Sequence, residues 1–190
     1  MKNIKTIFIA FSILIGLQAL YSQDYTLNPK KSLLTWTGKA AFNSYSLTGT
    51  IQSEKGTLSI DENVISDLKI MIDMKSLDHE NKDLKKHLRS KDFFEVKTYP
   101  TSEFLIQDSS IPANNTTTLS GMLTIKNKTN NEKIPVTIQQ SKSEVIITFE
   151  YSIDRTKYGI NHNSPSIFKR LKENAIADDF ILKGKLVFNP

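Results

Sequence analysis

The chain has 190 residues and no cysteine, which removes disulfides, iron–sulfur clusters, thiolate zinc sites and thiol nucleophiles together. Its 25 Lys and Arg against 20 Asp and Glu fall to 23 against 20 once Lys2 and Lys5 are set aside. So mild a balance, scattered without interleaved aromatics, gives no basis for a nucleic-acid partner.

The first element reads as an address. Lys2 and Lys5 precede an uncharged apolar run, Ile7 to Leu20, that ends before the ~20 residues a spanning helix needs. Residues 1–22 are therefore expected to be a signal peptide, cleaved near Ala19 to Gln23, and residues 24–190 one domain. An uncleaved N-terminal anchor is the alternative, because the site before Gln23 is not a clean small-x-small pattern. Without a cysteine at the cleavage point there is no lipoprotein anchor, so the mature protein is expected free in the periplasm or the medium.

From there the dominant signal is alternation with period two, which places every second side chain on one face of a strand. It runs through Leu34–Thr37, Ser46–Gln52, Gly56–Ile60, Leu68–Met74, Ser102–Ile106, Leu119–Ile125, Ile134–Ile138, Val145–Ile153 and Phe180–Phe188. The second and third runs can be one strand bent around Glu54-Lys55-Gly56, which gives eight or nine strands. Clean alternation favours an antiparallel sheet with one covered face, and closing it into a barrel removes its edges. Eight such strands enclose room for one small ligand. Glycines 49, 56, 121 and 184 mark bends or places where a ligand or backbone comes close.

Two segments break this rhythm. Ser76 to Arg89 has capping residues and then Leu84 and Leu88 four apart, an apolar stripe facing the barrel. Asn163-Ser164-Pro165 reads as an N-cap with proline at the first helical position, followed by Ile167, Phe168 and Leu171. Both are expected to be short helices near a barrel mouth.

Catalytic and metal chemistry find little footing. His79, His87 and His162 stand in no metal-binding spacing, and structural zinc needs three or four convergent ligands, so no metal site is expected. Two SxxK strings, at Ser66 and Ser166, lack the accompanying SDN and KTG elements. No nucleophile elbow, Walker loop or dinucleotide glycine pattern occurs. The expectation is a protein without enzyme activity or cofactor.

The stretch HLRSKDFFEVKTYPTSEF, with Ser76-Leu77 ahead of it, resembles the signature of the YceI-like polyisoprenoid-binding family. Further matches are Tyr25 with Leu33-Leu34-Thr35-Trp36, Gly121 to Ile125, Ile134-Pro135-Val136, and Ile153 to Ile160. The resemblance implies an all-β fold, a lipocalin-like extended antiparallel eight-stranded β-barrel, here with the two short helices. It also implies a bound isoprenoid lipid or isoprenoid quinone. Transient membrane contact and a homodimer stay open, as do an enzyme acting on a lipid in the same cavity and an envelope adaptor.

The candidate lining residues are Trp36, Ile70, Ile72, Phe104, Leu123, Phe149, Tyr151, Leu182 and Leu186, though the same strand faces serve core packing. Phe93 and Phe94 are expected to anchor the first helix to the barrel. Arg89 and Arg155 sit in the two motifs; each can pair with Asp92 or Asp154 or hold a ligand oxygen, and Arg155 joins the binding candidates. One departure stands out: many relatives carry a histidine in the hairpin after the first strand, where this chain has Phe42-Asn43-Ser44-Tyr45-Ser46.

Overall fold

The computed structural model describes residues 22–107, 111–113, 115–169 and 174–190. The expected leader and Leu171 of the second expected helix lie outside them. Ten strands are described: β1 (Gln23–Leu27), β2 (Leu33–Ala40), β3 (Ser46–Asp61), β4 (Val64–Asp78), β5 (Thr101–Ile106), β6 (Ile111–Pro112), β7 (Asn115–Ile125), β8 (Lys128–Gln140), β9 (Val145–Asp154) and β10 (Ile176–Asn189). The helix α1 (Lys82–Leu88) follows β4, and a 3₁₀ turn, Arg155–Tyr158, follows β9.

Eight strands close on themselves in the order β3-β2-β10-β9-β8-β7-β5-β4, with β4 returning to β3, every pair antiparallel. The lipocalin-like eight-stranded barrel expected from the sequence is thus the fold observed. The remaining two strands are accessory: β1 lies against β3 and the end of β10, and β6 against the start of β4.

Two-residue hairpins set the register at one end of each long pair. Glu62-Asn63 and Lys126-Asn127 all have positive φ, so β3–β4 and β7–β8 turn through mirror-image turns that match the strand twist. The bend expected near Glu54 is present as a register shift between Ser53 and Lys55 within one continuous β3.

Side chains filling one half of the barrel are almost wholly shielded from solvent. Tyr25, Leu58, Ile65, Leu68, Ile138, Val145, Ile147, Leu186 and Phe188 are all at 2% exposure or less. They interlock in register, Leu58 opposite Leu68, Leu186 opposite Ile147, and Phe188 opposite both Leu27 and Val145. Above this plug lies a layer of aromatic rings, each over a glycine of a neighbouring strand. A Cβ on Gly49 would stand 2.4 Å from the Trp36 ring, one on Gly121 2.6 Å from the Phe104 ring, and one on Gly184 2.3 Å from the Phe149 ring. Three of the glycines read as close-approach sites therefore accommodate aromatic rings of the protein itself.

The helices differ from expectation. β4 continues through Asp78, so α1 begins only at Lys82, where the Asn81 side chain accepts the N–H groups of Asp83 and Leu84, both at 3.0 Å. Among the described residues the second expected helix is absent, and 161–169 carry turns in its place. Asn163 is held at φ 49° with its carbonyl bonded to Ile176 N–H, and Ser164 is pulled fully inside. Ile167 and Phe168 are left half exposed, and a short helix without a packed apolar face has little to hold it. Among the described residues no helix is long and apolar enough to cross a membrane.

Candidate functional site

The second half of the barrel is hollow. Above the aromatic layer the strands enclose a cavity of about 320 Å³, within the roughly 300–1,000 Å³ of sites that hold drug-sized molecules. Its walls are Trp36 of β2, Leu47 and Ile51 of β3, Ile72 of β4, Leu123 and Ile125 of β7, and Phe180 and Leu182 of β10. Register explains much of one side. Between the pairs Gln52–Asp73 and Thr50–Asp78 the register shifts as β4 bulges against β3, and Met74 and Leu77 of the bulge line the cavity.

The cover comes from α1 and the turns after it. Leu84, Leu88, Phe93 and Phe94 all face the cavity, and Phe94 meets Phe180 of β10 edge to face at 6.1 Å. Phe93 packs between His87 and His162, whose ring centroids lie 5.0 and 5.1 Å from its own. The two histidines approach to 3.4 Å between their Nε2 atoms, so the end of α1 meets the turn after β9 there. Sequence spacing kept these imidazoles apart, and the fold brings two of them together. Burial, then His87 and Arg155, hold the His162 ring below its ordinary pKa of 6.5, with Asp92 opposing. Among the described residues no group of three or more His, Asp or Glu is placed to hold a metal.

Both motif arginines clamp backbone. Arg89 donates through Nε to the Leu77 carbonyl at 2.9 Å and through Nη2 to that of Lys75, fixing α1 to the β4 bulge. Arg155, 3% exposed, donates to the carbonyls of Ala177, Ile160 and Ile176 at 2.9, 2.6 and 2.9 Å. Neither pairs with Asp92 or Asp154, which corrects the acidic partners expected from the motifs. The carboxylate near Arg155 is that of Asp178, 3.8 Å from Nη2, while Asp154 caps the 3₁₀ turn through the Thr156 N–H and hydroxyl. Burial pulls the Arg155 pKa down and Asp178 and Asp154 push it back up.

The polar features of the wall are few. The Ser102 hydroxyl is 6% exposed and the Trp36 indole 8% exposed, and neither Oγ nor Nε1 has a hydrogen-bond partner within the protein. Glu132 of β8, 5% exposed, is a buried carboxylate that sequence reasoning passed over. It accepts the Tyr151 hydroxyl at 2.7 Å and the Tyr158 hydroxyl at 2.8 Å, with Lys157 Nζ 3.9 Å away. Alternation held the signal, since Glu132 falls on the same face as Ile134, Val136 and Ile138.

The family model for the YceI-like domain matches residues 25–188, nearly all the described chain. The chain belongs to the YceI-like family. Solved structures agree on the fold. A Burkholderia cenocepacia protein, BcnA, shares 24% identity at a TM-score of 0.67, over 85% of this chain and 98% of its own. A polyisoprenoid binding domain from Saccharophagus degradans, implicated in plant cell wall breakdown, shares 13% at 0.65, over 87% and 97%. The Campylobacter jejuni YCEI protein shares 19% at 0.57, over 100% and 99%. A search of curated proteins found no match.

Within this YceI-like barrel the ten residues singled out from the sequence divide by depth. Trp36, Ile72, Leu123, Leu182 and Arg155 line the cavity. Ile70 and Leu186 are buried at 7% and 1% without reaching it. Phe104 and Phe149 cover glycines in the aromatic layer, and Tyr151 turns its hydroxyl to Glu132. Alternation identifies the inward face of a strand and says nothing of how far along the barrel each residue sits.

Proposed function

We propose that this protein is a carrier that sequesters a long apolar lipid, an isoprenoid chain or an isoprenoid quinone, in the hollow half of its barrel. The observation that carries the reading is the apolar chamber of about 320 Å³ above a fully packed half. Membership of the YceI-like family and likeness to a polyisoprenoid binding domain support it. Burying an isoprenoid is worth about 0.8 kcal/mol per CH₂. A dry chamber is therefore sufficient for the task, and no catalytic residue or cofactor beyond the lipid is required. The leader expected at residues 1–22 favours a place in the periplasm or outside the cell.

Mass spectrometry of organic extracts from the purified protein is the test. Isoprenoid lipid is expected in the wild type and in Lys69→Ala and Glu150→Ala, whose side chains point outward, and is expected to be lost from folded Ile72→Asp. Equal lipid in folded Ile72→Asp and wild type would place the ligand elsewhere and sink this reading.

A further inference from the structure

Large hydrophobic side chains are exposed at five described positions, and four of them stand near one opening. Phe42 and Tyr45, 66% and 62% exposed, sit in the hairpin between β2 and β3; Ile167 and Phe168, 48% and 51% exposed, sit in the turn after β9. The bases of the two segments are joined. Ala41 N–H donates to the Ala175 carbonyl at 2.9 Å, and Ala40 pairs with Ile176. Tyr45, Ala40, Ala175 and Ile176 all line the cavity, so the exposed patch is continuous with its apolar interior. The turn is also anchored from beneath: Ser164 is fully buried, and the Asn163 carbonyl accepts the Ile176 N–H at 2.9 Å. The fifth residue, Leu33, lies toward the packed end of the barrel.

The charges around this opening are mixed, with Asp78, Glu80 and Asp179 exposed there, and the lysines are in slight excess. Lys39 and Lys169 flank the two apolar pairs, and α1, which covers the cavity beside them, carries Lys82, Lys85 and Lys86 against Asp83. Lys85 is paired with Asp78 at 2.7 Å, while among the described residues Lys39, Lys82, Lys86 and Lys169 enter no ion pair. The charged residues of the cavity lining are Lys39, Arg155 and Asp179.

We infer that this rim is a docking face for an anionic lipid bilayer, seated so that the cavity mouth opens into the membrane. The inference rests on the carrier reading and gives it a route. A cargo of many methylenes passes from bilayer to cavity without crossing water only where an apolar rim bridges them. Aromatic side chains favour the depth of the headgroups, and lysines beside them favour an anionic surface. A single patch that is apolar, flanked by Lys39 and Lys169 and continuous with the cavity meets these requirements together.

Vesicle flotation of the purified protein tests this. Vesicles of phosphatidylcholine mixed with phosphatidylglycerol are expected to carry the protein upward, vesicles of phosphatidylcholine alone much less, and added salt is expected to weaken the binding. Phe42→Ser and Phe168→Ser, changed at exposed positions, should fold and bind about tenfold more weakly. Leu33→Ser should bind as the wild type does. Absence of flotation on the mixed vesicles would overturn the proposal, and so would an equal loss in Leu33→Ser. Rim variants that only convert a dimer to a monomer in sedimentation would overturn it in favour of a second copy of the chain. Extracts from the same preparations separate the two readings. Flotation without bound isoprenoid would sink the carrier reading and leave the docking face standing, whereas bound isoprenoid without flotation would do the reverse.

Discussion

At the end of the barrel where β1 lies, Leu58, Ile65, Leu68, Val145, Ile147 and Phe188 leave 1% of their surface or less in contact with solvent. At the other end the same strands enclose about 320 Å³. The alternation of apolar and polar residues is the same along both stretches, so the pattern that forms the wall does not decide what fills it. The difference arises from the layer between. Trp36, Phe104 and Phe149 each lie over a glycine and close off the packed end, while the β4 bulge and α1 hold the far walls apart. One half keeps the barrel folded, and that lets the other remain unfilled by side chains.

The largest expected effect tests this division directly. Leu58→Ala opens a void in a region with no room to relax and is expected to cost about 2–5 kcal/mol. Ile72→Ala, on a wall that already borders open space, is expected to cost about 1 kcal/mol. Denaturant midpoints at constant slope measure both. Similar losses at the two sites would mean that the hollow half is packed in solution.

A second expectation sharpens the boundary. In Gly184→Ala the new methyl would stand 2.3 Å from Phe149 Cε1 and 2.7 Å from Leu34 Cδ2, so the ring must move, at a cost of about 1–3 kcal/mol. If the clash is the cause, the cost falls when Phe149 is already alanine. A double-mutant cycle shows this as a coupling energy, and strict additivity would mean that the glycine is needed for another reason.

Much of this architecture was legible in the sequence, and the limits have physical causes. Period-two alternation revealed the strands of the barrel because their inward faces are apolar at both ends. β1 escaped notice because only Tyr25 and Leu27 of its five residues are buried. The turn after β9 carried a good helix start in Asn163-Ser164-Pro165, and tertiary contacts at Asn163 and Ser164 overrode it. Depth along the barrel, which separates Ile72 from Ile70, depends on register between strands far apart in the chain, and no local pattern encodes that. The pairing of His87 with His162 was invisible for the same reason.

A third expectation concerns the buried carboxylate beside the cavity. Tyr151 is pushed up to about 12 by burial and by its bond to Glu132, and Tyr158 is pushed higher by the same causes. A phenol whose folded pKa is raised contributes stability that is fully present below its unfolded value of 10. That contribution is lost as pH climbs through the folded value. In an alkaline titration followed by tyrosinate absorbance, Tyr151 and Tyr158 should therefore ionise only above the ordinary range. Glu132→Gln removes the negative charge and should bring Tyr151 back toward 10. Ionisation of Tyr151 and Tyr158 near 10 in the folded protein would show that the network does not hold.

The smallest expected effect lies at the cover of the hollow half, where the packed half has no counterpart. His162 faces His87 of α1, the Phe93 ring, Asp92 and the Arg155 guanidinium, and its pKa lies below 6.5 because burial and the two neighbouring bases outweigh Asp92. Above pH 6.5 the ring is neutral whether the cover is closed or open, and the contact carries no proton term. As pH falls below 6.5 the open form takes up the proton first, so opening becomes steadily easier until the pKa of the closed form is passed. His162 is only partly buried and solvent screens the charge, which keeps the effect modest. Hydrogen exchange of the α1 amides should accordingly quicken on moving from neutral to mildly acidic solution, after correction for intrinsic exchange, while the amides of β9 around Ile147 stay protected. His162→Phe keeps an aromatic ring against Phe93 and removes the titrating group, so it should flatten the dependence in α1 alone. Retention of the full pH response in that variant would assign it to another group and leave the histidine pair a packing contact.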